Sequence, residues 1–162
     1  MLDVFWQELT NGLHDSKQLA RVVIRIMAAA ILGAIIGLQR ESTHKPAGLR
    51  THMLVSLSTA VFVISSAALG LSTEGVSRVI QGIVTGIGFI GAGSILKVSD
   101  QHEVKGLTTA ASVWMTAAIG VTVGLGSLGI ALIVTALALL ILSLARIERR
   151  VETKRTDFDD HL

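Results

Sequence analysis

The chain has 162 residues, of which 51% are hydrophobic, and its mean hydropathy of +0.65 excludes an ordinary soluble domain. The formal net charge is only +2, and cysteine is absent, which excludes a disulfide framework, thiol catalysis and a cysteine metal site. The composition therefore predicts one compact membrane-embedded bundle.

The N-terminal segment, 1–20, is predicted to lie in the membrane interface. Apolar side chains recur there at helical spacing among polar ones, and Trp6 is expected at the level of the lipid headgroups. Asp3 and Glu8 stand where a secretory signal would carry basic residues, so no cleavable signal peptide is expected.

Five apolar segments follow, each near the roughly 20 residues that a membrane-spanning helix needs. They cover residues 22–38, 52–71, 79–96, 107–125 and 127–145. The glycine-rich stretch at 124–129 is typical of a tight hairpin between the last two. The predicted fold is all-α, a polytopic membrane protein with five transmembrane helices in one bundle over residues 21–145.

Basic residues predict the orientation of these helices. One side would carry only Lys17, Arg21, Arg25 and Arg78, whereas the other ten Lys and Arg residues fall on the opposite side. The positive-inside rule then places the N-terminus outside and the C-terminus in the cytoplasm. Residues 146–162 would form a cytoplasmic tail, first basic and then acidic, whose basic part continues the fifth helix.

Glycine dominates the third apolar segment. Small residues let helix backbones approach closely in a membrane, and Gly82 and Gly86 have the spacing of such a contact. The segment is interpreted as the packed centre of the bundle; a bent helix lining a site is the alternative. The residues predicted to pack helices are Gly33, Gly37, Gly82, Gly86, Gly88, Gly91 and Gly93. One glycine face would pack within the protomer and another would pair protomers, most simply as a dimer.

A weak internal repeat relates the first two apolar segments to the next two. The stretch 32–38 resembles 90–96, and in the same register Gly48-Leu49-Arg50-Thr51 resembles the Gly-Leu-Thr-Thr sequence at 106–109. The repeat predicts that helices 1–2 and 3–4 are parallel repeats about an axis along the membrane normal.

Most of the polar residues that suggest a function lie in the two connections predicted to be cytoplasmic, residues 39–52 and 97–109. Each enters a membrane helix through Gly-Leu-x-Thr, and the N-terminus of a helix attracts anions. We predict a ligand- or partner-binding surface there, whereas the simpler reading is positive-inside anchoring with Thr capping. The predicted surface comprises Arg40, Glu41, Arg50, Thr51, Lys105, Thr108 and Thr109. Arg50 would hold an anionic group, Glu41 would orient Arg40 or Arg50, and the threonines would cap helices or contribute hydroxyl contacts.

Two further polar residues lie within apolar segments. Arg25 is expected to play a structural role near the outer interface, with Glu74 or Asp15 as its partner, and Gln81 to bond across helices or line a polar path. None of the five segments contains Asp or Glu, which argues against a carboxylate-based cation carrier. No catalytic motif, metal site or cofactor is expected, and no nucleic-acid partner.

Four motifs together resemble the membrane domain of the MgtC/SapB family. They are residues 33–41, 47–51, 86–93 and 104–111, and the resemblance extends over about 21–126. It implies a bacterial inner-membrane protein linked to magnesium homeostasis and, in some pathogens, to survival in the host. Longer members carry a soluble C-terminal domain that is not expected here, and Ser77 stands where some members have an acid.

Three classes of function follow from these observations and the resemblance. The first is a non-enzymatic regulator of a transporter or membrane ATPase that affects magnesium homeostasis, with membrane lipids, including anionic headgroups, as further partners. The second is a direct transporter or channel for magnesium or another small solute. A membrane enzyme is the least supported class, because the chain lacks the motifs of one.

Overall fold

The computed structural model describes residues 1–5, 16–98 and 103–159, with side chains for residues 1–5, 16–95 and 104–144. These ranges contain five long helices and a two-stranded ribbon. They are α1 (Ser16–Ser42), α2 (Leu49–Ala68), α3 (Thr73–Gly93), β1 (Leu96–Val98), β2 (Glu103–Lys105), α4 (Leu107–Gly124) and α5 (Leu128–Asp159). Residues 2–5 are also helical, whereas most of the predicted interfacial segment, including Trp6, lies outside the described residues.

Within the described residues, four helices are long and apolar enough to cross a membrane. They are α1, α2, α3 and α4, with 27, 20, 21 and 18 residues. An all-α membrane protein is thereby confirmed. The apolar part of α5, Leu128–Leu144, is shorter, so the fifth span stays a prediction. The helical backbone of α5 continues to Asp159, as predicted for the basic part of the tail.

The helix α4 lies at the centre of the described bundle and contacts each of the other four long helices. It runs parallel to α2, since Ser112 lies near His52 at one end and Gly124 lies against Val63 at the other. The helix α1 runs antiparallel to both α2 and α4. One end of the bundle therefore collects the end of α1 and the starts of α2 and α4.

The largest buried apolar cluster joins α1, α2, α4 and α5. Its buried members are Ala29, Leu32, Ile36, Ala60, Ile64, Ile119, Val123, Ala131, Ala138 and Leu142. Large apolar side chains elsewhere on α1 and α5, such as Met27, Ile31, Ile133 and Leu137, are exposed, as expected for lipid-facing surfaces. The helix α3 is the least buried of the four long apolar helices.

The glycines of α1 and α3 have different surroundings. A Cβ atom on Gly33 would lie 2.6 Å from the carbonyl oxygen of His52, and one on Gly37 would lie 2.6 Å from the Cα atom of Leu49. On α3, only Gly91 lies against a neighbouring helix, 3.7 Å from the Cβ atom of Ala110. Four glycines of α3 have no neighbouring atom within 4 Å of a Cβ position: Gly82, Gly86, Gly88 and Gly93.

The glycine segment is therefore not the packed centre of the protomer, and that interpretation is wrong. Glycine permits close contact but does not create it, because the neighbouring helix must also reach the glycine face. Here α4 supplies the central contacts, and α3 lies at the periphery.

The second connection contains structure that the sequence did not suggest. Its strands β1 and β2 pair antiparallel, with Leu96 opposite Lys105 and Val98 opposite Glu103. Gly106 ends the ribbon at φ +98°, and a Cβ there would collide with the carbonyl group of Ser94. Glycine is therefore required where the chain turns from β2 into α4.

Candidate functional site

Both predicted Gly-Leu-x-Thr motifs lie at helix starts. Gly48 is the N-cap of α2 and Gly106 is the N-cap of α4, and neither residue has a side chain to cap the first turn. The predicted capping by Thr51 and Thr109 is therefore wrong, since both threonines lie inside the first turn instead of before it. The alternative prediction, a hydroxyl contact, is confirmed for Thr109, whose Oγ1 atom accepts a hydrogen bond from Arg40.

Glu41 caps α2 from the neighbouring helix. Its Oε2 atom accepts a hydrogen bond of 2.9 Å from the backbone N–H of Leu49. A carboxylate there is favourable because the first N–H groups of a helix lack intrahelical partners and carry partial positive charge. The prediction that Glu41 orients Arg40 or Arg50 is wrong, because among the described residues its carboxylate bonds to the start of α2 and to neither arginine.

Arg40 is buried at the last full turn of α1, with only 2% of its surface exposed. Its Nη2 atom donates a 2.9 Å hydrogen bond to Oγ1 of Thr109, in the first turn of α4. The buried Nε atom has no hydrogen-bond partner. Arg40 thus joins α1 to α4 while much of its donor capacity is unused.

His52 and Ser112 extend this polar cluster, and neither was predicted from the sequence to have a role. The Nδ1 atom of His52 lies 2.9 Å from the carbonyl oxygen of Gly48, and its Nε2 atom lies 3.3 Å from Oγ of Ser112. The Ser112 hydroxyl also lies within 2.8 Å of the carbonyl oxygen of Thr109. The helical spacing of Thr109 and Ser112 was the available signal, but it did not reveal which helix they face.

A buried polar seam continues from this cluster between α2 and α4. It consists of His52, Ser56 and Thr59 on α2, and Thr109, Ser112 and Thr116 on α4. Most of these hydroxyls donate to carbonyls of their own helix, and Thr59 also reaches the carbonyl oxygen of Ala117 at 3.2 Å.

Close approach of α2 and α4 depends on two glycines of α4. A Cβ atom on Gly120 would collide with Oγ1 of Thr59 and the carbonyl oxygen of Ser56. A Cβ atom on Gly124 would lie 2.8 Å from the Cβ atom of Val63. The seam is therefore closely packed along these two turns.

The remaining predicted site residues are more accessible. Arg50, Lys105 and Thr108 are exposed, and Thr51 is half-buried. They lie beside Leu49 and Thr109, at the same end of the bundle as Arg40. The structure thus brings the predicted residues to one end but separates them into a buried group and an exposed group.

Arg25 lies at the opposite end and has a structural contact. Its Nη1 atom donates a 2.9 Å hydrogen bond to the carbonyl oxygen of Gly124, and its guanidinium lies against Gly126. A cation at the end of α4 is favourable because helix C-termini carry partial negative charge. The predicted pairing with Glu74 is wrong, and Asp15 lies outside the described residues.

The helix α3 borders three of the cavities that the described residues form. The first, of about 560 Å³, is an apolar groove between α2 and α3 that includes Phe62, Gly82 and Gly86. The second, of about 610 Å³, is lined by α3 and Leu125 and includes Gln81, whose exposed side chain makes no hydrogen bond within the described residues. The third, of about 180 Å³, lies between α3 and α4 beside Trp114. The side chains described contain no group of three His, Cys, Asp or Glu residues placed to hold a metal.

Comparison with known proteins gives consistent matches. The MgtC family model matches residues 26–150. The chain is 43% identical to protein SrpB of Synechococcus elongatus over 130 residues, which cover 74% of this chain and 71% of that protein. It is 44% identical to the putative magnesium transporter YhiD of Escherichia coli over 76% of this chain and 60% of the relative.

A third relative, protein MgtC of Salmonella typhimurium, is 43% identical over 72% of this chain. The match covers only 49% of that protein, so the chain spans about half the length of this longer relative. No solved structure matches the chain.

Proposed function

This chain belongs to the MgtC family, and from that premise we propose that it is a bacterial inner-membrane protein of magnesium homeostasis. We further propose that it acts as a non-enzymatic regulator of a transporter or membrane ATPase. Its exposed cytoplasmic end would bind the partner or an anionic lipid headgroup. The helix bundle would fix the relative positions of the binding residues at that end.

The closely packed seam between α2 and α4 is the observation that supports regulation. The hydroxyls of Thr59, Ser112 and Thr116 donate to carbonyls of their own helices, and Gly120 allows the two helices to touch. A solute path needs polar groups that face an open cavity, whereas these groups are buried between the two helices, with Thr59 alone among them also lying at the edge of the apolar groove between α2 and α3.

Direct transport is the second candidate. It is supported by the relative named as a putative magnesium transporter, to which the chain is 44% identical. Two cavities of about 560 and 610 Å³ border α3, so a solute that used them would pass between α3 and its neighbours.

The exposed group at the cytoplasmic end provides the test. We expect Arg50→Ala to insert normally and to support growth in low magnesium at least roughly tenfold less well, because a charge-assisted contact is lost. Arg50→Lys retains the charge but lacks the planar fork, so it separates fork recognition from positive-inside anchoring. Complementation of a deletion strain at matched membrane levels is the measurement. Full complementation by Arg50→Ala would show that Arg50 is not part of the binding surface.

Purified protein in liposomes separates the two functions. Under the regulator proposal, wild-type vesicles show no magnesium uptake above empty vesicles, although the same protein complements growth. Robust uptake by the protein alone would establish transport and would reject regulation as its only activity.

We also propose five membrane spans with the N-terminus outside, built on a repeat of α1–α2 and α3–α4. Two contacts support the repeat, because the Gly33–His52 contact and the Gly91–Ala110 contact stand at equivalent positions of its two halves. Position 44 lies in a connection proposed to be cytoplasmic, so a Cys there should react with an impermeant maleimide only after cells are opened. The natural chain has no thiol, so the labelling has no background. Labelling from outside intact cells would show that the orientation is the opposite one.

Assembly as a homodimer is the remaining proposal. Gly82, Gly86, Phe89 and Gly93 recur on one face of α3, and Phe89 is 84% exposed. Two such faces are self-complementary about a two-fold axis, because the aromatic ring of one copy fits beside the glycines of the other.

A further inference from the structure

We propose that Arg40 is the centre of a binding site for a phosphate group, at the first turn of α4. The site takes a tetrahedral oxyanion between the Arg40 guanidinium and the N-terminus of α4, which no described side chain caps. It deepens the proposed function, because it gives the cytoplasmic end a ligand of defined chemistry.

The first support is the buried charge itself. A guanidinium has five N–H donors and is always charged, yet Arg40 makes one hydrogen bond within the described residues, to Thr109. Its Nε atom is buried without a partner, and only 2% of the residue is exposed. Among the described side chains this buried cation has no carboxylate partner, and an unpaired buried charge is strongly unfavourable, so an anion here would remove a large penalty.

No described carboxylate supplies that counter-charge. The side chains of Asp3, Glu41 and Glu74 are described, and none pairs with Arg40. Glu41 is adjacent in sequence, but its carboxylate accepts the N–H of Leu49.

The proposed internal repeat indicates that α4 lacks the carboxylate that binds the start of α2. At the start of α2, the N–H of Leu49 is bound by the Glu41 carboxylate. In the register that aligns Gly48 with Gly106, Leu107 begins α4 and Ser99 stands where Glu41 stood. The first helix start is thus occupied by an oxyanion from its own chain, whereas the second has no carboxylate at the equivalent sequence position.

The groups around this position suit phosphate. The first turn of α4 has a glycine N-cap without a capping side chain, and its N–H groups carry partial positive charge. Arg40 reaches this turn directly, since its Nη2 atom lies 2.9 Å from Oγ1 of Thr109. A guanidinium, a hydroxyl and helix N–H groups together form a favourable donor set for a phosphate oxygen.

The test measures binding to the full chain in a phosphate-free detergent. Isothermal titration with inorganic phosphate at constant ionic strength is one arm, and native mass spectrometry with phosphatidylglycerol is the other. We expect a single site, and Arg40→Gln should weaken it at least roughly tenfold, because it removes a charge-assisted contact. Arg78→Gln is the matched control, since Arg78 is exposed and lies on α3, and it should bind as wild type.

The two arms distinguish a soluble phosphate from a lipid headgroup, and saturation in either supports the site. Thr109→Val, which keeps the shape but removes the hydroxyl, should weaken binding severalfold and covers the case in which Arg40→Gln does not fold. Failure of the wild-type protein to bind in both arms would overturn the site, as would wild-type affinity in Arg40→Gln.

The outcomes also separate the site from the proposed function. Binding that depends on Arg40, in a chain that does not affect growth in low magnesium, would retain the site and reject the regulator. A growth effect without binding would retain the regulator and reject the site.

Discussion

Gly120→Ala is expected to disrupt the bundle although it adds only one methyl group. The added Cβ would collide with Oγ1 of Thr59 and with the carbonyl oxygen of Ser56, and the backbone of α2 cannot move without opening the seam. Overpacking of a tight core costs about 1–3 kcal/mol, and we expect about 3 kcal/mol here because the obstacle includes backbone. Unfolding by denaturing detergent, followed by circular dichroism, measures the change in the free energy of unfolding.

Gly88→Ala is the matched control. It makes the same substitution within a helix, but nothing lies within 4 Å of a Cβ at Gly88. We expect equal or higher stability, because Ala favours a helix over Gly by up to about 1 kcal/mol. If Gly120→Ala unfolds at the same detergent fraction as Gly88→Ala, the seam is not closely packed.

Gly86→Leu is expected to convert the proposed homodimer into a folded monomer. Within the protomer, nothing lies within 4 Å of a Cβ at Gly86, so the side chain can be accommodated without altering the fold. In a dimer built on α3, the same side chain would hold the two backbones apart. Crosslinking in membranes and light scattering of the purified protein should show at least a roughly tenfold loss of dimer, corresponding to about 1.4 kcal/mol.

Gly88→Leu provides the comparison, because Gly88 is equally open but lies off the face that carries Gly82, Gly86 and Gly93. It should dimerise as wild type. A wild-type chain that is monomeric at every accessible concentration would reject the dimer. An unchanged dimer in Gly86→Leu would show that the interface does not lie on this face.

The sequence by itself determined the class of the protein and the position of its polar end. Long apolar segments require helices in a membrane, because backbone groups in hydrocarbon must pair within the chain. Glycine before each of Leu49 and Leu107 marked two helix starts, and both are observed. The family motifs also followed from sequence, and the match over residues 26–150 confirms the resemblance.

Tertiary structure decided which of these residues meet. Membrane helices are apolar on most faces, so periodicity does not distinguish a surface facing lipid from one facing a helix. That is why the glycines of α3 were predicted to be central, whereas it is at Gly120 and Gly124 of α4 that an added Cβ would lie less than 3 Å from α2.

The same limit applies to the charged residues. Arg40 and Arg50 look alike in sequence, yet Arg40 is buried against Thr109 while Arg50 is exposed. Glu41 bonds to Leu49, eight positions away, because the connection folds α2 back against α1. Composition and spacing determine which helices form, but only the packing of those helices determines which charge is buried and what it contacts.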